Sequence, residues 1–404
     1  MCIICHRDTL EPFLDLGKTA LANKFLTQEE LSGSEPKYRL RAGFCKTCHH
    51  VQLMERIPPK AMFEDYLYIS SASDTLKAHL YKLSDAIVNR YHLDEKNRVM
   101  DIGCNDGTLL RGFKRHGVRT LGIDPAKNLE ELITGSGIAH YTGFFDSKTA
   151  RQIVSKWGQA SVITATNTFP HIQDLQDFLT GIKVSLAPGG TLVMEMHYFV
   201  DILDQLAFDT FYHEHISYWS LGPMVELFER MGLEIVDAER LPIHHGQLRV
   251  FIQNKGEVSV QPSVKEILKL EHSRALDRYE TYKKFSDRVK KIKEDLKRKI
   301  KNLKGQGKRI VGYGAPAKGN TLLSFLELGP NTIDYIVDRS SLKQGRYTPG
   351  MHIPVVAPER LLLDQPDYVL LLAWNFADEI LCQQAEYRKR GGKFIVPLPK
   401  FKIL

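Results

Sequence analysis

At 404 residues the chain is longer than one typical core, which favours two or three domains, each burying its own apolar surface. Its 43% hydrophobic and 25% charged residues are ordinary for a globular protein, and no apolar stretch approaches the roughly 18 residues needed to span a bilayer. The net charge of +7 would suit a nucleic-acid binder only if it were spread along a groove, and it is not: residues 281–308 hold 12 Lys or Arg against 3 acids, leaving the rest near neutral.

The opening MCIICHRDTL lacks the charged-then-apolar layout of a secretory signal, so we expect a cytoplasmic chain whose six cysteines stay reduced. Four of these form two C-x2-C pairs, Cys2 with Cys5 and Cys45 with Cys48. Each pair presents two thiolates from one tight knuckle, and two knuckles complete a tetrahedron with no position left for water, the pattern of a structural zinc site. His6, His49 and His50 are nearby alternatives, but four cysteines already fill the shell.

Residues 98–196 alternate between strands and helices. The apolar run Val99-Met100-Asp101-Ile102 predicts a buried strand, followed by Gly103-Cys104-Asn105-Asp106-Gly107 opening a helix over 108–116. A second strand, 120–124, ends on Asp124, about 20 residues after the first glycine. Glycines let a backbone approach a ligand closely, and a carboxylate closing the next strand can accept both hydroxyls of a ribose. Asn105 occupies the second glycine position of the dinucleotide fingerprint, which disfavours NAD. Further strands are expected at 162–167, closing in Asn167, and at 191–195 after Leu186-Ala187-Pro188-Gly189-Gly190.

The stretch from about 197 to 222 is crowded with ionisable and aromatic residues, including Tyr212, His213, Glu214 and His215. A helix over 223–231 and strands over 233–239 and 247–253 would complete a seven-stranded sheet. The basic segment carries Val289, Ile292, Leu296, Ile300 and Leu303 at spacings of three and four, the stripe of an amphipathic interdomain helix with a charged outer face. The chain then begins again with Gly312, Tyr313, Gly314, Ala315, Lys318 and Asn320 in a strand, glycine-rich turn and helix start, where backbone N–H groups could cradle a diphosphate. Strands at 335–338 and 368–372 indicate a second α/β domain.

D-x-G-C-N-D-G, the strand-ending Asp124, Asn167 and L-x-P-G-G resemble the class I S-adenosylmethionine-dependent methyltransferases over about 150 residues. The whole order of cysteine knuckles, class I core, Tyr212-His213-Glu214-His215 and G-Y-G-A-P-A-K-G resembles the sugar 3-C-methyltransferases of deoxysugar biosynthesis. That resemblance implies a zinc-binding N-terminal domain (1–75), a Rossmann-like methyltransferase domain (76–255) and a C-terminal α/β domain (256–404) that receives a nucleotide sugar. It implies cofactor contacts from Tyr68, Gly103, Asn105, Gly107, Asp124, Phe145 and Asn167, and an active site of His171, Tyr212, Glu214 and His215. The stretch from Tyr66 to Ser73 matches a further family segment beside the cofactor, whereas His213 departs from the family pattern.

The chemistery of carbon methylation asks for the same groups. A carbon becomes nucleophilic when a neighbouring ketone stabilises an enolate, so a base and an oxyanion partner are required. His215 is the expected base, oriented and made more basic by Glu214, with Tyr212 and His171 donating to the enolate oxygen. The expected substrate is a dTDP- or GDP-linked 4-keto-deoxysugar, with neither nucleic acid nor membrane as partner and a monomer or weak oligomer as the assembly. O- or N-methylation of another nucleotide-linked metabolite, and an RNA-binding methyltransferase, are the competing readings.

Overall fold

The computed structural model describes every residue except Asp65, His244 and His245. In chain order the strands are β1 (Leu10–Thr19), β2 (Tyr38–Cys45), β3 (Val51–Leu53), β4 (Arg98–Ile102), β5 (Arg119–Asp124), β6 (Ala139–Thr142), β7 (Ala160–Thr166), β8 (Leu186–His197), β9 (Ser217–Tyr218), β10 (Leu233–Leu241), β11 (Gln247–Asn254), β12 (Ile310–Tyr313), β13 (Ile336–Val337), β14 (Val355–Val356), β15 (Tyr368–Leu371), β16 (Lys393–Val396) and β17 (Lys402–Ile403).

They form three sheets, ordered β1-β2-β3-β9, β10-β11-β8-β7-β4-β5-β6 and β14-β13-β12-β15-β16-β17. The first is antiparallel, and its fourth strand comes from the crowded segment after β8: Val51 pairs with Tyr218 and Gln52 with Ser217. The second is the seven-stranded sheet expected from the sequence, parallel except for β11, which runs antiparallel to β8 and β10. Its order reverses at β4, because β5 lies on one side and β7 on the other. The loops after β4 and β7 therefore diverge and leave a crevice at the carboxyl ends of the strands. Helices cover both faces, which is why β4, β7 and most of β8 are buried residue after residue instead of alternating.

The third sheet is parallel except for β17, and repeats the reversal between β13 and β15 on either side of β12. The basic segment is one helix, Tyr279–Gly305. Its inner stripe, Val289, Leu296 and Ile300, is buried. Tyr282 on the same helix stacks on Phe44 of the first sheet at 4.5 Å between centroids, so the helix fastens the N-terminal sheet while its lysines face outward. Among the described residues, no helix is long and apolar enough to cross a membrane.

Candidate active site

The four knuckle cysteines converge. Their Sγ atoms lie within 4.8 Å of one another, with Cys2–Cys48 and Cys5–Cys45 each at 3.5 Å. Zinc–sulfur bonds of about 2.3 Å arranged tetrahedrally give sulfur–sulfur edges of roughly 3.8 Å, so the set fits one zinc ion with no further ligand. Both knuckles share one backbone turn. His6 and His49 adopt positive φ (55° and 59°) and donate their N–H groups to Cys2 O and Cys45 O, which leaves both imidazoles outside the sulfur cluster. None of these four cysteines lines the large cavity, so this metal would organise the fold and take no part in chemistry.

That cavity, about 560 Å³, occupies the crevice of the seven-stranded sheet and is closed by the N-terminal segment and the third sheet. At its floor Gly103 turns with φ of 73°, and an added Cβ would stand 2.2 Å from Thr168 Oγ1. Asn105 ties the floor to the roof: its backbone N–H donates to Asp124 Oδ2 (2.8 Å), its Oδ1 accepts from Ser70 N (2.8 Å), and its Nδ2 donates to Tyr68 O (2.9 Å). Asp124 Oδ1 accepts from Ala126 N at 2.9 Å. Each carboxylate oxygen therefore retains a lone pair for a ribose hydroxyl, and burial raises this carboxyl above its ordinary range despite the two N–H donors. Tyr68, Phe145 and Asn167 complete this side of the cavity. Gly107 does not reach it. With φ of 75° it precedes the helix Thr108–Lys114 and serves the turn alone.

The opposite wall carries Tyr212 and His215. His215 Nδ1 lies 3.0 Å from Thr210 O, and a carbonyl only accepts, so Nδ1 holds the proton. Its Nε2 is then an acceptor and takes the Tyr212 hydroxyl at 2.8 Å. Burial, reinforced by the His171 and His197 rings, holds His215 well below the usual histidine range, so it is neutral at pH 7 and able to receive a proton. Burial also makes Tyr212 a much weaker acid than an exposed phenol.

Two expected roles change. The Glu214 carboxylate does not orient His215; it accepts from Asn23 Nδ2 (2.9 and 2.7 Å) and from Tyr66 Oη (3.1 Å), and burial raises it to about 7. The carbonyl of Thr210 orients the imidazole instead. His171 Nδ1 donates to Glu214 O at 2.6 Å, and burial lowers this imidazole to about 4. In that neutral tautomer Nε2 is an acceptor, so His171 cannot donate to an enolate oxygen. His213 points away from the cavity, donating Nε2–H to Arg39 O at 3.3 Å and packing edge-on against Tyr38.

From the glycine-rich turn only Lys318, with Pro316 and Ala317, reaches the cavity. Gly312, Tyr313, Gly314, Ala315 and Asn320 lie outside its lining for a packing reason. A Cβ on Gly312 would meet Ile336, one on Gly314 would meet Ala373 at 2.7 Å, and Ala315 N is already donated to Asp338 Oδ2 at 2.6 Å. Side chains of the neighbouring strands and of the residues just after β15 fill the space beside these glycines and leave no open anion nest there. Lys318 holds its ammonium 4.6 Å from the Trp374 ring centroid, and Asp209 behind it accepts the Trp374 indole N–H at 2.6 Å. Burial lowers Lys318 to about 8, opposed by the Asp209 charge. Asn23 was not legible as a site residue, since its contact with Glu214 spans 191 positions and no motif surrounds it.

The chain is 35% identical over 404 residues to the C-methyltransferase NovU of Streptomyces niveus, an alignment covering 100% of this chain and 96% of the relative. The chain belongs to the C-methyltransferase family. A zinc binding domain family matches residues 2–63 of this C-methyltransferase, a methyltransferase domain family matches 76–238, and the C-methyltransferase C-terminal domain family matches 242–399. It is S-adenosylmethionine-dependent, with a class I fold and an N-terminal zinc-binding domain. A ubiquinone biosynthesis O-methyltransferase of Rhizobium rhizogenes is 28% identical over 96 residues, 24% of this chain and 39% of that protein. The crystal structure of an S-adenosylmethionine-dependent methyltransferase from Clostridium acetobutylicum superposes with a TM-score of 0.37 at 12% identity, covering 46% of this chain and 94% of that one.

Proposed function

We propose that this C-methyltransferase methylates carbon 3 of a nucleotide-linked 4-keto-deoxysugar through an enolate. The observation that carries the reading is the Tyr212–His215 pair: a phenol whose proton already points at a neutral imidazole nitrogen, 2.8 Å away, on the wall facing the cofactor loops. S-adenosylmethionine, when bound, supplies an electrophilic methyl group that needs no metal activation. Carbon 3 is acidic because the adjacent ketone takes up its electrons. As its proton moves to the Tyr212 oxygen, the phenol passes its own to His215 Nε2, so neither a free phenolate nor a free hydroxide forms. The enolate's negative charge offsets the cost of a buried imidazolium, whose Nδ1–H stays on Thr210 O. His215 is thus the base, acting through Tyr212.

Asp124 holds the cofactor ribose, while Tyr68, Gly103, Asn105, Phe145 and Asn167 shape its bed. Lys318 faces the substrate's diphosphate, an assignment supported by its place among the cavity residues on the wall supplied by the third sheet. The test is isotopic. In heavy water, the 4-keto sugar nucleotide incubated with the enzyme and S-adenosylhomocysteine is expected to exchange its carbon 3 hydrogen, and a substrate reduced at carbon 4 is expected to be neither exchanged nor methylated. Methylation of the reduced substrate would refute the enolate and favour transfer to oxygen or nitrogen.

A further inference from the structure

The segment from Ala20 to Gln28 crosses between the catalytic wall and the third sheet. It contains no strand or helix of its own, so its position depends on what grips it. The grips come from the C-terminal part of the chain. Asn320, buried at 2% exposure, donates Nδ2 to Ala22 O at 2.7 Å. Tyr347 exchanges two backbone hydrogen bonds with Leu26, at 3.0 and 2.8 Å. Lys343, which donates to Ala315 O at 2.8 Å, carries its ammonium 5.2 Å from the Phe25 ring centroid. Between these grips, Asn23 reaches the other way, its Nδ2 contacting both oxygens of Glu214.

We infer that Asn23 is a positioning residue for methyl transfer, fixing Glu214 and through it the Tyr66 phenol at the cavity, and that Asn320 sets Asn23 by gripping the carbonyl before it. The inference rests on the enolate reading above, in which Tyr212 and His215 carry the proton; Glu214 lies between them in the chain, and its partner Tyr66 lines the same cavity. The carboxylate is buried, so it keeps one geometry only while donors hold its oxygens, and Asn23 and Tyr66 supply them. Asn320 thereby gains a use that its place in the glycine-rich turn did not suggest: it joins the C-terminal domain to the chemistry without touching substrate. The titratable and charged groups facing Glu214 are Tyr66, Tyr212 and Lys343, with His171 on its backbone carbonyl.

The test compares Asn23→Asp, Asn23→Ser, Asn320→Asp and Glu214→Gln in the full-length enzyme, with S-adenosylhomocysteine affinity confirming that each is folded. Asn320→Asp keeps its shape, but its ionised carboxylate cannot donate to Ala22 O. We expect Asn23→Ser and Asn320→Asp to lower kcat about 10- to 100-fold with S-adenosylhomocysteine affinity within about twofold of wild type, as for loss of a hydrogen bond to a charged group. Asn23→Asp sets a second carboxyl against Glu214, so the pair retains a proton and the acid limb of kcat/KM moves up by at least about one pH unit. A purely structural role would not move that limb. Wild-type kcat and pH profile in the Asn23 variants, with Glu214→Gln slow, would overturn this inference alone. Wild-type turnover by Glu214→Gln would overturn it as well, and the enolate reading is judged separately by the carbon 3 exchange. Asn23→Ser keeps the question open to decision if Asn23→Asp fails to fold.

Discussion

Replacing Tyr212 by Phe removes one hydroxyl from the cavity wall and leaves every residue named as a cofactor contact in place. The hydroxyl donates to His215 Nε2 at 2.8 Å, so the variant strands a buried acceptor that no longer has its donor. Such a loss costs about 1–3 kcal/mol of stability, small enough for the enzyme to stay folded. The kinetic effect is larger, because the relay from carbon 3 to the imidazole loses its middle member, and general base catalysis contributes about 10²- to 10⁴-fold. We therefore expect kcat to fall by that amount for Tyr212→Phe, and equally for His215→Asn, in single-turnover assays. The double variant should be no slower than the slower single one, because two members of one relay act as a unit. Losses that multiply in the double variant would show two independent roles and refute the relay; near-normal turnover by Tyr212→Phe would refute it outright.

Asp124→Ala should weaken S-adenosylmethionine binding about 10- to 100-fold by calorimetry, the worth of hydrogen bonds to a charged group, while leaving sugar-nucleotide affinity little changed. Elemental analysis should give one zinc per chain, and Cys45→Ser, which replaces one of four converging sulfurs, should lose the metal and unfold at lower temperature. Lys318 is charged below about pH 8 and neutral above it, since burial disfavours the ammonium. For an anionic substrate, kcat/KM should accordingly decline as pH rises through about 8 in the wild type, and Lys318→Met should be lower and flat across that range.

The methyltransferase sheet was legible because its signals are local and physical. A strand buried on both faces must be apolar, a glycine at Gly103 must take a positive φ, and Asp124 must close its strand to face the crevice. The zinc ligands were legible because a knuckle is a four-residue object that the spacing specifies. The turn at Gly312–Asn320 shows where such reading ends. A glycine that admits a phosphate and one that admits a neighbouring side chain leave the same letter in the sequence, and here Ile336 and Ala373 occupy the space. Likewise Tyr212, Glu214 and His215 stand out by chemical type, but their hydrogen-bond partners do not. Whether Glu214 holds His215 or Asn23 depends on how residues 191 positions apart are brought together, and no periodicity encodes that.

The strand β9 is two residues long, yet it seals an edge of the zinc-bearing sheet from a point far along the chain. During synthesis the sulfur cluster can close once Cys48 has emerged, and Val51–Leu53 can pair with β2, but its outer edge must wait for Ser217 and Tyr218. An open apolar strand edge invites pairing with another nascent chain. The time a ribosome takes over the intervening residues, about 8–33 seconds at roughly 5–20 residues per second, is therefore a window in which this edge is open to misassembly.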